Sequence, residues 1–494
     1  MEKERKSHAA IINLGCKVNK YESDAMRDKL ILAGYEMVDP EEKADVYIVN
    51  TCSVTNVAQR KSRQMLRRAR NRNPEALIIA AGCYVNAEHE GLLAESFVDV
   101  AVGNNRKKDI VEIIRQWQEN HGNRDFCPDI GREKEFEEMG GISSVHMDHR
   151  RAYVKIQDGC NQFCTYCLIP YTRGRVRSRE PEQILSEIGQ LAAEGVQEFV
   201  LTGIHISSYV TDREDGWELG GLIQAISELP DVRRVRLGSL EPNIITEEFL
   251  SGLADNPKFC PHFHLSLQSG CDATLKRMNR KYTAQEYADR CAWIRKYFDR
   301  PAITTDVIVG FPGETEEEYE ETFAFLERLS LYEIHVFKYS VRAGTVAERL
   351  PDQVPDTLKA LRSERLLALT ARQKAAFEDS LSGLLDEVLV EERLGEPGDE
   401  RIVERFKEES EEIMPEMEYR NEPAGSLNIE EPTEIQGGAA EENRNGTQLY
   451  ETGEIKKTGK IWYWFTGHSK RYVKIKFQSD LDEVNRIVPI VYKG

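Results

Sequence analysis

The central part of the chain, residues 150–375, repeats a strand-like apolar run followed by a helical pattern about six times. In the first of these helical patterns, Pro181 stands in the first turn and Gly195 marks the end. Strands that alternate with helices at this spacing are typical of an α/β protein with a parallel sheet or barrel, and six units are too few for a closed eight-stranded barrel. The predicted strands cover residues 153–157, 199–203, 235–238, 263–268, 303–309 and 334–339.

Residues 8–120 also alternate apolar runs with helical patterns, and three of the runs end in a cysteine: Cys16, Cys52 and Cys83. The intervals are 36 and 31 residues, about one strand–helix–strand unit each. Parallel strands of an open sheet would bring the three thiols to one carboxyl edge, where α/β sheets bind ligands. A single cysteine of this kind is more often a small buried apolar residue. Three in register favour an iron–sulfur cluster.

Three more cysteines, Cys160, Cys164 and Cys167, stand within eight residues. They follow the first predicted strand of the central region and so lie at its carboxyl end, where barrel active sites form. Three thiolates can hold a cubane iron–sulfur cluster and leave one iron open to a ligand. A structural zinc site is the alternative, but it needs four ligands, and no other Cys or His is close in sequence. The remaining cysteines, Cys127, Cys260, Cys271 and Cys291, show no comparable arrangement.

The C-terminal region, residues 378–494, combines β-like runs with a strongly acidic segment. Residues 378–390 and 460–491 predict a small β-barrel. Between Glu391 and Glu442 there are 18 acidic and 5 basic residues, in a chain whose net charge is −19. Because this segment is also rich in Pro, Gly and Asn and poor in aromatic residues, we interpret residues 391–459 as a disordered or loosely ordered insert in that barrel.

The sequence has no feature of a secreted or membrane protein. Its first residues, MEKERKSHAA, are charged and lack the apolar core of a signal peptide. The longest apolar run, residues 76–85, is too short to span a bilayer. We therefore expect a cytoplasmic protein without a membrane partner. In that compartment, ten cysteines favour metal binding or catalysis over a disulfide framework.

The C-x3-C-x-aromatic-C pattern that begins at Cys160 resembles the radical S-adenosylmethionine (SAM) enzymes. The resemblance implies a partial (β/α)6 barrel in which SAM binds the open iron of a 4Fe–4S cluster and is cleaved by an electron from it to a 5′-deoxyadenosyl radical. Residues within the motif and at the ends of later strands are then expected to contact SAM. They are Tyr166, Thr202, Gly203, Ser239, Glu241, Gln268, Val309 and Gly310. Each of these matches, taken alone, is also compatible with an ordinary strand-to-loop junction.

The two three-cysteine sets, in this order, resemble the methylthiotransferases over nearly the whole chain. The resemblance implies an N-terminal domain (8–120) with an auxiliary 4Fe–4S cluster, a radical SAM core (146–375) and a C-terminal β-barrel of the TRAM type (378–494). It also implies that one SAM supplies a methyl group and a second supplies the radical, while the auxiliary cluster carries the sulfur. A low-potential electron donor and a sulfur source are the implied partners.

Known branches of this family modify adenosine 37 of tRNA or an aspartate of a ribosomal protein. The segment LGCKVNKYES, from Leu14 to Ser23, is similar to the branch that acts on N6-threonylcarbamoyladenosine. We therefore expect 2-methylthiolation of that nucleoside. The alternatives are methylthiolation of isopentenyladenosine in tRNA or of a ribosomal protein aspartate. An alternative of another class is a non-catalytic iron–sulfur protein that binds RNA as a redox sensor, which would not cleave SAM.

Basic residues form three sets that predict contacts with the anticodon stem-loop of tRNA. Seven basic and no acidic residues lie between Arg60 and Arg72, and several of them fall on one face of a helix. A second set follows Cys167, and a third alternates with aromatic residues near the C-terminus. Basic side chains neutralise phosphates and aromatic rings stack on bases, although any one set could be a solvated charged surface. The predicted contacts are Arg60, Arg63, Arg67, Arg70, Arg173, Arg175, Lys470, Arg471 and Lys474.

Overall fold

The computed structural model describes residues 7–143, 151–210, 216–395, 463–479, 481 and 483–492. The predicted acidic insert lies outside the described residues from residue 396 onward. The chain forms two compact units, Met1–Phe377 and Glu378–Gly494. In the described part of the chain, none of the helices has both the length and the apolar character needed to cross a membrane.

The N-terminal part of the first unit is an open parallel sheet covered by helices, as predicted. Its strands are β1 (His8–Asn13), β2 (Glu36–Met37), β3 (Val46–Thr51), β4 (Leu77–Gly82), β5 (Val100–Val102) and β6 (Asp125–Phe126), and its helices are α1 (Lys17–Leu32), α2 (Asn56–Arg72), α3 (Cys83–Leu93) and α4 (Ile110–Asn120). The strand order is β2-β1-β3-β4-β5-β6, and all neighbours are parallel. Every residue of β3 and β4 is buried, as expected for strands covered on both faces.

The rest of the first unit contains the six predicted parallel strands. In chain order the strands are β7 (Arg151–Lys155), β8 (Gln157–Asp158), β9 (Arg177–Ser178), β10 (Glu198–Thr202), β11 (Arg234–Leu237), β12 (His262–His264), β13 (Ala302–Val309) and β14 (Glu333–Lys338). Strands β7, β10 and β11 form one parallel sheet and β12, β13 and β14 another. The parallel bridge between Leu240 and Leu265 joins the two sheets. The six parallel strands therefore follow one another in sequence order, and β8 and β9 form a separate antiparallel pair.

Eight helices accompany these strands. They are α5 (Ile169–Thr172), α6 (Pro181–Ala193), α7 (Leu219–Glu228), α8 (Glu247–Ala254), α9 (Asp272–Arg277), α10 (Ala284–Tyr297), α11 (Glu316–Leu329) and α12 (Asp356–Ser380). One strand is shorter than predicted: β12 ends at His264, and the following residues make single bridges only. Regular pairing stops before Gln268, whose φ of 72° is incompatible with a strand.

The two faces of the barrel strands differ in character. Apolar side chains such as Phe199 and Leu201 pack in the core with the helices. The alternate positions, which point to the barrel interior, include Lys155, Glu198 and Arg236. Closed eight-stranded barrels fill this space with branched apolar side chains. The interior of this partial barrel therefore contains buried ion pairs where a closed barrel has an apolar core.

Glu198 organises the amino-terminal ends of three neighbouring strands. Its fully buried carboxylate accepts hydrogen bonds from Arg151 at 2.8 Å, Arg236 at 2.9 Å and Arg234 at 3.3 Å. Burial acts to raise the pKa of Glu198, but the arginine charges outweigh it and hold the pKa well below its usual range.

The second unit is a small antiparallel β domain. Its strands are β15 (Leu385–Gly395), β16 (Tyr463–Ser469), β17 (Lys474–Ser479) and β18 (Ile487–Val491). They pair in the order β17-β16-β15-β18 around a core that includes Val388, Phe465 and Phe477. The antiparallel sheet agrees with the predicted small β domain, and closure into a TRAM-type barrel stays a prediction.

Replacing Glu198 by Gln should destabilise the first unit, because three arginine side chains, two of them fully buried, would then lose the charge of the carboxylate that they share. We expect the free energy of unfolding at neutral pH to fall by about 3 kcal/mol, measured by urea denaturation of the reduced, cluster-free chain. Glu228→Gln, at an exposed position, is the control. Because the pKa of Glu198 is lower in the folded chain, its contribution is complete above about pH 5 and is lost as pH falls. A difference between wild type and variant that stayed constant down to about pH 3 would contradict this account.

Candidate functional site

The first cysteine set lies along the carboxyl edge of the N-terminal sheet. Cys16 precedes α1, Cys52 follows β3, and Cys83 is the first residue of α3. Glycine permits the close approach of these segments at two points. A Cβ atom at Gly15, where φ is 107°, would lie 3.1 Å from the Cys52 Sγ. One at Gly82, where φ is 99°, would lie 2.7 Å from the Thr51 carbonyl oxygen.

The three thiols of this set share one pocket. Burial, together with the neighbouring Cys83 and Cys16, raises the pKa of Cys52 to about 11. Burial of the Cys16 thiol among neighbouring groups also raises its pKa, although the residue retains exposure to solvent. Cys52 and Cys83 are buried. Thiolates bind metal, so occupation of this pocket would be coupled to release of protons.

A buried arginine connects this pocket to the second cysteine set. The Nε of Arg173 donates to Cys83 Sγ at 3.2 Å, and its Nη1 donates to Glu22 at 2.7 Å. The same guanidinium bonds to Asn19 at 2.6 Å and to Asp158 at 3.2 Å. Asn19 and Glu22 belong to α1, whereas Asp158 stands two residues before Cys160. One side chain thus ties the N-terminal sheet to the loop that carries the second set.

The second cysteine set lies in the loop that follows β7 and the short strand β8. Burial and the neighbouring Cys164 together raise the pKa of Cys160 to about 11 and that of Cys167 to about 12. The three thiols are therefore close enough to influence one another electrostatically. The backbone before them is tightly constrained, because Gly159 has φ of 72° and a Cβ atom there would overlap the carbonyl oxygen of Arg175. The Cys160 amide then donates to the Gly174 carbonyl oxygen at 3.0 Å.

Arg280, which the sequence did not single out, has the same role at the second set as Arg173 at the first. Its Nη1 donates to Cys164 Sγ at 3.3 Å, and its Nη2 donates to both carboxylate oxygens of Glu241 at 2.7 and 2.8 Å. Its Nε donates to the Tyr282 hydroxyl at 2.8 Å. Glu241, a predicted SAM contact, therefore lies beside the second cysteine set with its carboxylate paired.

The other predicted SAM contacts lie at the carboxyl ends of the barrel strands or in the cysteine loop. Tyr166 is half-buried, with its ring 6.2 Å from that of Phe311. At Gly310, φ is 70° and a Cβ atom would overlap the Lys359 side chain, so this glycine makes room for α12. Thr202, Val309 and Gln268 are buried, Gly203 is partly exposed and Ser239 is exposed. Their contact with SAM stays a prediction.

The structure divides the predicted RNA contacts into exposed and buried groups. Helix α2 contains the predicted basic stripe, in which Arg60 and Arg67 are exposed, whereas Arg63 and Arg70 pair with Glu95 and Asp99. Arg175 is exposed, with its guanidinium 4.6 Å from the centre of the Phe163 ring. Lys474 is exposed and Lys470 lies 3.1 Å from Glu387.

Two predicted RNA contacts are wrong. Arg173 is completely buried in the ion-pair network with Glu22 and Asp158. Arg471 is buried as well and lies 2.9 Å from Asp386. Neither guanidinium is available to a phosphate, because a buried charge that already has a carboxylate partner cannot leave it without a large desolvation cost.

Comparison with known proteins identifies the family. Residues 154–326 match the radical SAM superfamily, and residues 8–103 match the uncharacterized protein family UPF0004. The threonylcarbamoyladenosine tRNA methylthiotransferase MtaB of Bacillus subtilis (strain 168) is 40% identical, over 80% of this chain and 87% of that protein. The protein of the same name from Aquifex aeolicus is 37% identical, over 76% of this chain and 90% of its own length. The chain belongs to the radical SAM tRNA methylthiotransferases.

Two further matches are a relative with a different name and a solved structure of much lower sequence identity. The tRNA-2-methylthio-N(6)-dimethylallyladenosine synthase of Thermoanaerobacter sp. (strain X514) is 35% identical, over 76% of this chain and 80% of that protein. Among solved structures, the radical SAM methyltransferase TsrM from Kitasatospora setae superposes with a TM-score of 0.50 at 15% identity, over 68% of this chain and 75% of TsrM. This last likeness concerns the fold alone.

Membership of the family implies SAM and one 4Fe–4S cluster. The second cysteine set fits such a cluster, because it supplies three thiols close to one another, and two of them, Cys164 and Cys167, are partly exposed.

We expect Arg280→Gln to make the midpoint potential of this cluster more negative, because a cationic hydrogen-bond donor to Cys164 Sγ is lost. The midpoint potential is measured by an EPR-monitored redox titration. Both variants carry Ala at Cys16, Cys52 and Cys83, so that only the second cysteine set can hold a cluster. Arg277→Gln, whose side chain pairs with Glu318, is the matched control. An unchanged potential in a fully loaded Arg280→Gln variant would contradict this role.

Proposed function

We propose that this enzyme converts N6-threonylcarbamoyladenosine at position 37 of tRNA to its 2-methylthio derivative, with two SAM molecules and two 4Fe–4S clusters. The main support is that the chain has two sets of three cysteines, and that Arg173 and Asp158 link the first set to the second. An enzyme that only generated a radical would need one such pocket. The presence of both, joined by a buried charge network, favours a reaction that uses a radical and a sulfur donor together.

In this proposal Cys16, Cys52 and Cys83 hold the auxiliary cluster. The pocket fits the group because it contains three thiols, of which Cys16 is exposed, and glycines where a side chain would intrude. When bound, the two clusters supply an electron that cleaves SAM and a sulfur atom for transfer. The chain itself positions the ligands: Arg173 donates to the buried Cys83 and would neutralise part of the thiolate charge.

The polar barrel interior favours threonylcarbamoyladenosine over the dimethylallyl substrate. A threonylcarbamoyl group carries a carboxylate, a hydroxyl and a urea-like linkage, whereas an isopentenyl group is wholly apolar. The interior positions are occupied by polar side chains, among them the ion pairs of Lys155 with Glu22 and of Arg236 with Glu198. A polar group can exchange hydrogen bonds with such surroundings, whereas an apolar group would displace water from them without replacing its hydrogen bonds. Methylthiolation of isopentenyladenosine is the second candidate, supported by relatives at 35% identity.

Exposed basic residues near the cysteine sets are suited to the tRNA anticodon stem-loop. Arg60 and Arg67 are exposed on α2, which starts four residues after Cys52. Arg175 stacks on Phe163, which lies within the second cysteine set, and Tyr171 contacts the same ring edge-on at 5.7 Å. Arginine and aromatic faces together bind phosphates and unpaired bases. A low-potential electron donor and a sulfur source complete the proposed partners.

Iron content tests the two-cluster part of the proposal. After anaerobic reconstitution, the wild-type chain should bind about eight iron atoms, and Cys52→Ala and Cys160→Ala should each bind about four, because each removes a ligand of one cluster. Cys291→Ala is the control, since Cys291 is buried in the core packed around Tyr287. A Cys52→Ala variant that still binds about eight iron atoms with intact spectra would exclude the auxiliary site.

Nucleoside analysis tests the substrate. The chain is expressed in a host that makes threonylcarbamoyladenosine and lacks methylthiotransferases of its own, and the tRNA nucleosides are analysed by mass spectrometry. We expect a methylthio-shifted threonylcarbamoyladenosine with the wild type and none with Cys52→Ala or Cys160→Ala. A shifted isopentenyladenosine would keep the chemistry and change the substrate. If both clusters are loaded and no nucleoside shifts, the tRNA substrate is wrong and ribosomal proteins are to be examined.

A further inference from the structure

The barrel interior contains a group of side chains that the proposed reaction does not use. His264 on β12, Asp306 on β13 and His335 on β14 bring their ligand atoms within 4.8 Å of one another. In the described ranges, no other group of three His, Cys, Asp or Glu residues meets this distance. None of the six cysteines of the two sets belongs to this group.

The register of the sheet explains why these side chains meet. His264 pairs with Thr304 across β12 and β13, and Asp306 pairs with His335 across β13 and β14. Thr304 and Asp306 are two residues apart, so they project from the same face of β13. Three neighbouring parallel strands thus each place one ligating side chain on the interior face, and no loop rearrangement is needed to bring them together.

Thr304 orients the first histidine. The His264 Nδ1 lies 2.9 Å from the Thr304 Oγ1, and its Nε2 lies 3.4 Å from an Asp306 carboxylate oxygen. In metal sites, a hydrogen bond to one ring nitrogen fixes the imidazole and leaves the other for the ion. The His264 and His335 rings stack with their centres 5.6 Å apart and an interplanar angle of 26°, so both histidines line the same small space.

The donor set suits one class of cation. Two neutral imidazoles and one carboxylate have a single negative charge, and they match the two-histidine, one-carboxylate triad that binds divalent first-row metals with open coordination positions. His264 and Asp306 are partly buried and His335 is exposed, so an ion here would be enclosed on the strand side and open on the other. By contrast, His89 and Asp125 form a similar pair at 3.5 Å without a second histidine.

We propose that His264, Asp306 and His335 form a binding site for a divalent first-row transition metal ion inside the barrel. The open coordination positions face the interior and take oxygen ligands, such as water or a carboxylate. The site does not depend on the identity of the tRNA nucleoside.

The test uses the full chain with its clusters reconstituted anaerobically, so that cysteines are already occupied, and Zn²⁺ as the probe. After equilibrium dialysis, we expect one Zn²⁺ per chain by mass spectrometry of the metals. X-ray absorption at the zinc edge should show only nitrogen and oxygen neighbours, at about 2.0–2.2 Å, and no sulfur at about 2.3 Å. His264→Ala and Asp306→Asn should each weaken Zn²⁺ binding at least tenfold without changing the iron content.

His89→Ala is the matched control and should bind Zn²⁺ as the wild type does. If His264→Ala fails to fold, the exposed His335→Ala decides the question. The proposal is overturned if the wild type binds no Zn²⁺, if the histidine variants bind it as tightly as the wild type, or if sulfur appears among the zinc neighbours.

Discussion

The buried guanidinium of Arg173 is the contact on which the relation between the two cysteine sets depends. It bridges Glu22 of α1 and Asp158 of β8, the strand that precedes Cys160, and it donates to Cys83. Glu22 also pairs with Lys107 and Lys155, so the network draws together four separate segments of the chain. Because every member is buried, removing one partner leaves a charge without compensation, which costs several kcal/mol. The network therefore fixes the N-terminal sheet against the start of the barrel in one arrangement.

At each cysteine set, an arginine held by carboxylates donates a hydrogen bond to one sulfur. Arg173 donates to Cys83, and Arg280 donates to Cys164 while it also binds Glu241. In both cases carboxylates hold the arginine, and the arginine in turn contacts one of three sulfurs. Hydrogen bonds and positive charge near sulfur stabilise the more reduced, more negative state of a cluster. Each cysteine set is thus contacted by its own arginine. The carboxylates that hold these two arginines lie outside the cysteine motifs.

Much of the fold could be predicted from the periodicity of apolar residues. The position of three cysteines at one edge of the N-terminal sheet could be predicted from the parallel topology. Parallel strands that recur every 30 or so residues bring their carboxyl ends together, and so Cys16, Cys52 and Cys83 lie along one edge of the N-terminal sheet, while their binding of a cluster stays a prediction. Charge was less informative, because a run of arginines does not reveal its partners. Arg173 was predicted to contact RNA, yet its carboxylate partner Glu22 lies 151 residues away in sequence. For the same reason, no local sequence pattern indicated the role of Arg280 or the group formed by His264, Asp306 and His335, whose partners are far apart in the sequence.

The distance between Glu22 and Arg173 along the chain also has a consequence for biogenesis. At synthesis rates of about 5–20 residues per second, Arg173 leaves the ribosome roughly 8 to 30 s after Glu22. During that interval α1 exposes a carboxylate that has no guanidinium partner, and the pocket around Cys83 lacks one wall. The N-terminal sheet can form on its own short-range contacts, but the pocket is completed only when this long-range pairing closes. Completion of the pocket around Cys83 is therefore a late event in the maturation of the chain.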